Sequence, residues 1–443
     1  MGREGTPGSE PGSGSPEGPR RPPIRRTGAR LVLISGVLFG LAYLAYTFAT
    51  PGDEVALDFE VYYFAAEAVL AGGPLYGVSP VGVDYLVYAY PPLTVLAFLP
   101  FTLLSPSAAY AVFTVLALAA GLLAARLLLA YLDRHGRSLD RIDRALVYAF
   151  AVLSVHARPS NVYGQVNLPR ALAFVGGFAW LDRAAGTPED AAPDRGRWES
   201  RAGVAFGLAA FVKAFPALVG VWLLRRRAWR AVLAATATGL GGLALGALAF
   251  GPDTTLAYLG EALLTRANDD AFAGGLDPGA AYVTVRRPLS VLFPGWGSFA
   301  LTAAAFAVVA PVVGACYARL DTGTLVGRLV GAYATVAGML AFLPAFPVYH
   351  VLLYFPVVPL LYVLDGRAYR VFLAGTLCWN LSVRIDDVGT VLGRVGADGL
   401  ATALAPAFSL ATPPLVGLGL MFLACWLALG DGGPADGPDG RAP

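Results

Sequence analysis

LVLISGVLFGLAYLAYTFA, residues 31–49, is the stretch that decides the fold. It runs 19 residues without a charge, close to the ~20 that a helix needs to cross a bilayer. The same signal recurs along the chain. Apolar segments cover 31–49, 91–104, 107–131, 145–157, 166–182, 202–212, 214–224, 229–250, 299–318, 326–344, 350–364, 370–383 and 413–430. Of 443 residues, 56% are hydrophobic and 14% charged, where a soluble domain carries about 25% charged residues. The reading is an all-α polytopic membrane protein. A net charge of +2 excludes nucleic-acid binding by bulk electrostatics. Cys316, Cys378 and Cys425 lie inside apolar runs with no CxxC spacing. They read as small core hydrophobes, with neither disulfide nor metal.

Residues 1–30 are rich in Gly, Pro, Ser and Glu and end in Arg20, Arg21, Arg25, Arg26 and Arg30. They read as a disordered cytoplasmic tail, not as a cleavable signal. A second disordered tail is expected over 431–443, leaving 31–430 as one membrane-embedded domain. Arg134, Arg137, Arg141 and Arg144 mark 132–144 as cytoplasmic. Arg225, Arg226, Arg227 and Arg230 mark 225–230, and Arg367 and Arg370 mark 365–370. The loops 50–90, 251–298 and 384–412 then face outside. With the N-terminus and 132–144 on one side, the chain between them crosses an even number of times. Three apolar segments lie there, so 91–104, with Pro91, Pro92 and Pro100, is expected to be re-entrant. The total becomes about 12 transmembrane helices, plus re-entrant or interfacial helices in the first outside loop.

That loop carries the first chemistry. It reads Leu57-Asp58-Phe59-Glu60-Val61-Tyr62-Tyr63, then Gly72-Gly73-Pro74-Leu75-Tyr76. Asp58 to Leu70 has helical composition, and Gly72-Gly73 stops it. Its apolar content places it in the interface plane. Asp58 is either a plain N-cap or a carboxylate held at the membrane surface as general base for a hydroxyl. Glu60 is a second carboxylate two residues on, and the residues alone leave open which of the two faces a cavity. The loop closes on Tyr88-Ala89-Tyr90-Pro91-Pro92, whose tyrosines are interface anchors or sugar-stacking rings. Further on, Tyr163-Gly164-Gln165-Val166-Asn167-Leu168 supplies two amides. An amide both donates and accepts, which suits sugar hydroxyls. His156 and Arg158 lie beside them in sequence.

Lys213 is the only lysine, and it sits in the middle of the apolar run 202–224. A cation there costs about 2.5–3.5 kcal/mol on insertion scales and marks function by default. Either the run crosses once, or two half-helices meet at Lys213-Ala214-Phe215-Pro216. Arginines at both ends, Arg201 and Arg225–Arg227, favour the hairpin. Lys213 then either pairs with Asp58 or Glu60, or offers a counter-charge to a lipid phosphate. Arg286-Arg287, in an outside loop, run against the positive-inside trend and suit a phosphate clamp. His350 opens an apolar segment, a position more often structural than catalytic. With His135 and His156 it makes no zinc site.

Taken in order, these motifs resemble glycosyltransferase family 87 from about residue 55 to about 365. The pattern is Asp58…Tyr62…Gly72-Gly73-x-Leu75-Tyr76, then Tyr90-Pro91-Pro92. Gly164-Gln165-Val166-Asn167 resembles the family's Gly-Gln/Asn-x-Asn, and Lys213-Ala214-Phe215-Pro216 its Lys-x-x-Pro. The resemblance implies a GT-C fold and an inverting α-mannosyltransferase of the cell envelope. The donor it implies is polyprenyl-phosphate-mannose. It assigns the base to Asp58. His350 becomes a phosphate or sugar contact, because the family tends to hold a histidine near this point. Lys213, Glu60, Tyr62, Tyr90, Gln165, Asn167, Arg286 and Arg287 complete the expected substrate contacts. No cofactor and no divalent metal are expected. The partners implied are the lipid bilayer, the lipid-linked donor and a glycan, glycolipid or protein acceptor. The setting implied is a multi-pass protein of a prokaryotic plasma membrane, with its active site facing outside. A lipid or sugar transporter or flippase competes with this reading, but calls for an internal symmetry that the sequence does not display. A lipid-linked polysaccharide ligase or polymerase shares the lipid-phosphate logic but not this motif order.

Overall fold

The structure, a computed structural model, describes residues 26–49, 55–80, 86–186, 191–260 and 270–430. Of the expected tails, 1–25 and 431–443 lie outside the described residues. The first helix already begins at Thr27. Among the described residues every element is helical.

Among the described residues, six helices are long and apolar enough to cross a membrane. They are α1 (Thr27–Ala49), α3 (Pro106–Arg134), α9 (Trp229–Phe250), α12 (Ser298–Arg319), α13 (Leu325–Phe342) and α18 (Pro413–Gly430). Between them lie α2 (Leu57–Leu70), α4 (Arg141–Leu153), α5 (Arg158–Tyr163), α6 (Asn167–Ala185), α7 (Ala192–Val212), α8 (Gly220–Arg225), α10 (Pro252–Ala257) and α11 (Arg286–Leu292). After α13 come α14 (Tyr354–Val363), α15 (Gly366–Asn380), α16 (Ile385–Arg394) and α17 (Asp398–Leu410). Every residue of α14 is buried, so the middle of the bundle lies at α13 and α14. Several apolar segments therefore fold as short pieces and not as full spans, because proline interrupts them.

The segment 92–103 shows the effect most plainly. It forms two 3₁₀ turns, Pro92–Ala97 and Leu99–Leu103, each with proline in its first turn. Tyr90 Oη, just before it, is 2.8 Å from Tyr62 Oη, and Tyr63 Oη donates to the Leu104 carbonyl at 2.9 Å just after it. Both ends are thus tied to adjacent residues of α2. The run 202–224 breaks in the same manner. Lys213 leaves the helix with φ −140° and ψ 130°, and a 3₁₀ turn at Phe215–Val219 leads into α8.

One end of the bundle gathers the charge-rich loops. Arg30 pairs with Asp140 at 2.6 Å and Asp143 at 2.9 Å, and Arg26 pairs with Asp365 at 2.8 Å. Asp182 takes His135 at 3.0 Å and also Arg328. These bonds tie the start of α1 to the α3–α4 and α14–α15 loops, and the end of α6 to α13. Arg30 and Thr47 stand at opposite ends of α1, about 25 Å apart at 1.5 Å per residue.

Small residues let the helices approach. A Cβ on Gly417 of α18 would stand 2.6 Å from the Gly375 carbonyl oxygen of α15 and 2.6 Å from the Trp379 nitrogen. Close backbone packing of this kind is how helices associate without a hydrophobic drive between them. Gly417→Leu is expected to destabilise the protein by at least the ~1–3 kcal/mol of ordinary overpacking. Gly239→Leu, on a face of α9 with nothing within 4 Å, is expected to leave the thermal midpoint in detergent unchanged. A wild-type midpoint for Gly417→Leu would contradict this packing.

Candidate active site

Asp58 enters α2 in its first turn. The N-cap is Ala56, at φ 68°, with no side-chain cap, so Asp58 is not the plain cap. Its position is set by a second stretch of backbone. Ala56 N–H donates to the Val162 carbonyl at 2.8 Å. Gly164 follows in the left-handed region at φ 71°, and a Cβ there would stand 2.5 Å from Phe59 Cβ. Only glycine meets both demands, and the turn it makes delivers Gln165 beside Asp58. Gln165 Nε2 donates to Asp58 Oδ2 at 2.6 Å. Asn167 Nδ2 donates in turn to Gln165 Oε1. Arg170 Nη1 donates to Asn167 Oδ1 at 2.6 Å.

Lys213 reaches the same place from the broken α7. Its Nζ donates to Tyr349 Oη at 2.9 Å and lies 4.7 Å from the Tyr349 ring and 5.5 Å from the Tyr90 ring. Two aromatic faces thus hold the ammonium where the sequence allowed an ion pair with Asp58 or Glu60. No ion pair of Lys213 occurs among the described residues.

Asp58, Gln165 and Lys213 line one cavity of about 670 Å³. Its wall draws on α1 through Tyr43, Tyr46 and Thr47, on Arg158, on the 278–283 and 346–349 stretches, and on Arg384, Asp386 and Asp387. Each of the loops 50–90, 251–298 and 384–412 contributes to it. The cavity lies at the Thr47 end of α1, opposite the Arg30 end. Of the two carboxylates that the sequence left open, Asp58 lines the cavity and Glu60 does not.

Other expected contacts sit elsewhere. Tyr62 and Tyr90 are buried behind the wall, hydroxyl to hydroxyl, and Tyr90 meets Lys213 through its ring. Asn167 is fully buried and spends its amide on the relay. His350 is fully buried and lines no part of the cavity. Its Nδ1 accepts from Trp379 Nε1 at 2.9 Å, and Trp379 stacks on His156 with centroids 3.5 Å apart. Trp379 of α15 and His156, just past α4, enclose His350, and its Nε2 finds no partner among the described residues.

Arg286 and Arg287 are buried as well, so the exposed clamp expected from their loop is not what forms. Arg286 donates to Ser298 Oγ at 2.7 Å and lies over Phe272. Arg287 donates to the carbonyls of Phe408 at 2.7 Å and Tyr282 at 3.1 Å, and to that of Ala280. Burial pushes its guanidinium down to about 10. Arg287→Met is expected to strand these carbonyls at about 1–3 kcal/mol each. The expected result is a lower thermal midpoint with an unchanged donor KM. A raised KM at constant midpoint would restore the clamp.

Sequence reasoning passed over Arg170 and Tyr349. Arg170 carried the same signal as Lys213, a cation inside an apolar run. Among the described residues, no group of three or more His, Cys, Asp or Glu comes together as a metal site.

The model of glycosyltransferase family 87 matches residues 88–344, more than half of the chain. The chain belongs to glycosyltransferase family 87. The matched stretch takes in Tyr90, the Gln165–Asn167 turn, Arg170 and Lys213, while Asp58 precedes it. This family-87 chain is similar to two curated mycobacterial proteins. One is the polyprenol-phosphate-mannose-dependent alpha-(1-2)-phosphatidylinositol mannoside mannosyltransferase of Mycobacterium tuberculosis. Identity is 30% over 223 residues, 47% of this chain and 48% of that protein. The other is the polyprenol-phosphate-mannose-dependent alpha-(1-2)-phosphatidylinositol pentamannoside mannosyltransferase of Mycolicibacterium smegmatis. Identity is 28% over 244 residues, 53% of each chain. The chain spans about half the length of the curated relatives it matches.

Proposed function

We propose that this protein transfers mannose from polyprenyl-phosphate-mannose to a lipid-borne, glycan or protein acceptor at the outer face of a prokaryotic plasma membrane. The observation that carries the proposal is the meeting of a carboxylate, Asp58, and the only lysine, Lys213, in one cavity. Asp58 takes the proton of the acceptor hydroxyl as that oxygen attacks the anomeric carbon. The glycosyl–phosphate bond breaks on the opposite side of the sugar, so the configuration inverts. The leaving polyprenyl phosphate gains negative charge, and Lys213 stabilises it in a water-poor site where such a charge counts for most. Gln165 and the cavity tyrosines orient the sugar.

The sidedness has its own support. The arginine-rich loops gather at one end of the bundle and the cavity opens near the other, which under the positive-inside rule supports an outward-facing cavity. The proline-broken 92–103 and the break at Lys213 support a GT-C fold of about 12 crossings, with 92–103 as a re-entrant wall. The relatives act on phosphatidylinositol mannosides by name, which makes an anionic glycolipid the leading acceptor class.

The test is incubation of the purified protein with a panel of polyprenyl-phosphate sugars and phosphatidylinositol mannosides, followed by mass analysis. A product heavier by one hexose, formed from the mannosyl donor, is expected. Movement of the donor lipid across proteoliposomes without any such product would instead support the transporter reading.

A further inference from the structure

Arg170 takes no part in the chemistry proposed above, yet it is only 2% exposed. Its guanidinium lies over the rings of Phe215 at 4.9 Å and Tyr349 at 5.9 Å. It has no ion pair among the described residues, and its Nε and Nη2 find no hydrogen-bond partner. Its one hydrogen bond among the described residues is to Asn167 Oδ1, at 2.6 Å. A buried cation placed this way is costly unless a charge elsewhere compensates it.

The compensating charge lies at the far end of the amide relay. A guanidinium has N–H donors and no acceptor, so the Asn167 atom that faces Arg170 must be the carbonyl oxygen. Asn167 Nδ2 is thereby turned away, towards Gln165 Oε1. Gln165 Nε2 is then left to face Asp58 Oδ2, at 2.6 Å. A side-chain amide is nearly symmetric in shape, and either end can occupy either place. With both amides reversed, the Gln165 oxygen would confront the Asp58 carboxylate, and an amide NH₂ would confront Arg170. The donor-only end of the relay forbids that arrangement. Donation into the carboxylate favours its ionised form, and a chain of bonds that starts at a cation polarises every member in the same sense.

We infer that Arg170 is a positioning residue, which fixes the polarity of the Arg170–Asn167–Gln165–Asp58 relay and so holds Asp58 ionised and oriented for proton abstraction. This rests on the reading of Asp58 as the general base. The role is to aim the base, and it is separate from that of Lys213 at the leaving phosphate.

The experiment uses the full chain in lipid nanodiscs, with polyprenyl-phosphate-mannose as donor and phosphatidylinositol mannoside as acceptor. Arg170→Met should lower kcat by about 10–100-fold, the range typical of outer-shell partners, and leave the donor KM unchanged. Arg170→Lys keeps a donor-only end and should recover most of the loss. Asn167→Asp separates aiming from packing. It gives Arg170 a full ion pair, so the thermal midpoint should hold or rise. It cannot donate to Gln165, so kcat should fall as it does for Arg170→Met. Wild-type turnover in Asn167→Asp would overturn the inference. So would a raised donor KM at constant kcat in Arg170→Met, which would make Arg170 a phosphate contact. A stability cycle reports on the relay without any turnover. Asp58→Asn and Arg170→Met should be non-additive in thermal midpoint although the two side chains do not touch, and additivity would overturn the relay. Full transfer by Asp58→Asn alone would instead remove the base assignment, so the two failures are distinguishable.

Discussion

Asp58→Asn is expected to reduce mannosyl transfer by about 10²–10⁴-fold, the range over which a positioned general base accelerates proton transfer. The substitution is close to isosteric, and the asparagine oxygen still accepts from Gln165 Nε2, which now donates at 2.6 Å. The packing of α2 through Phe59, Tyr62 and Tyr63 does not depend on the charge. The variant should therefore insert, fold and bind donor, with a lower thermal midpoint because Arg170 loses its compensating charge, and fail at turnover. Transfer is measured as hexose addition by mass, and donor binding by retention of labelled lipid. Undiminished transfer would remove Asp58 from the chemistry and return attention to Glu60.

Lys213→Met is the second large effect. The ammonium is held by Tyr349 Oη at 2.9 Å and by two aromatic rings, and among the described residues it has no carboxylate partner. Loss of a charged hydrogen bond to the donor phosphate is worth about 1.5–3 kcal/mol. That corresponds to about a 10–150-fold weaker donor affinity, with a further loss in kcat as charge builds on the leaving group. Stability should move the other way. A methionine fills the same apolar path without an uncompensated charge, so the thermal midpoint should hold or rise. Unchanged donor affinity with a collapsed midpoint would make Lys213 a structural residue.

The membrane character was legible from runs such as 31–49, and family membership from the ordered motifs around Tyr90, Gln165 and Lys213. A single lysine in an apolar run was a strong signal because bilayer burial of a cation is costly. The number of crossings was harder to read. Hydropathy measures how apolar a segment is, and 92–103 is apolar but short of the ~20 residues a crossing needs. Its prolines break it into two 3₁₀ turns, and its two ties to α2 are not local in sequence. Arg286 and Arg287 mislead for a related reason. Loop charges suggest exposure, but the fold buries both, with Arg287 donating to carbonyls, that of Phe408 in α17 among them, and Arg286 to the Ser298 hydroxyl of α12. His350 is enclosed by Trp379 and His156, each far away in sequence. The relay through Asn167 could not be read from composition, because amides suit sugars and one another equally well.

The central claim is that the cavity between Asp58 and Lys213 receives the lipid-linked sugar. The most direct measurement is an experimental structure of the protein with bound polyprenyl-phosphate-mannose. The phosphate is expected within hydrogen-bonding reach of Lys213 Nζ, and the anomeric carbon on the Asp58 side of the cavity. A donor phosphate seated away from this cavity, against Arg286 and Arg287 or at the Arg30 end of the bundle, would contradict it.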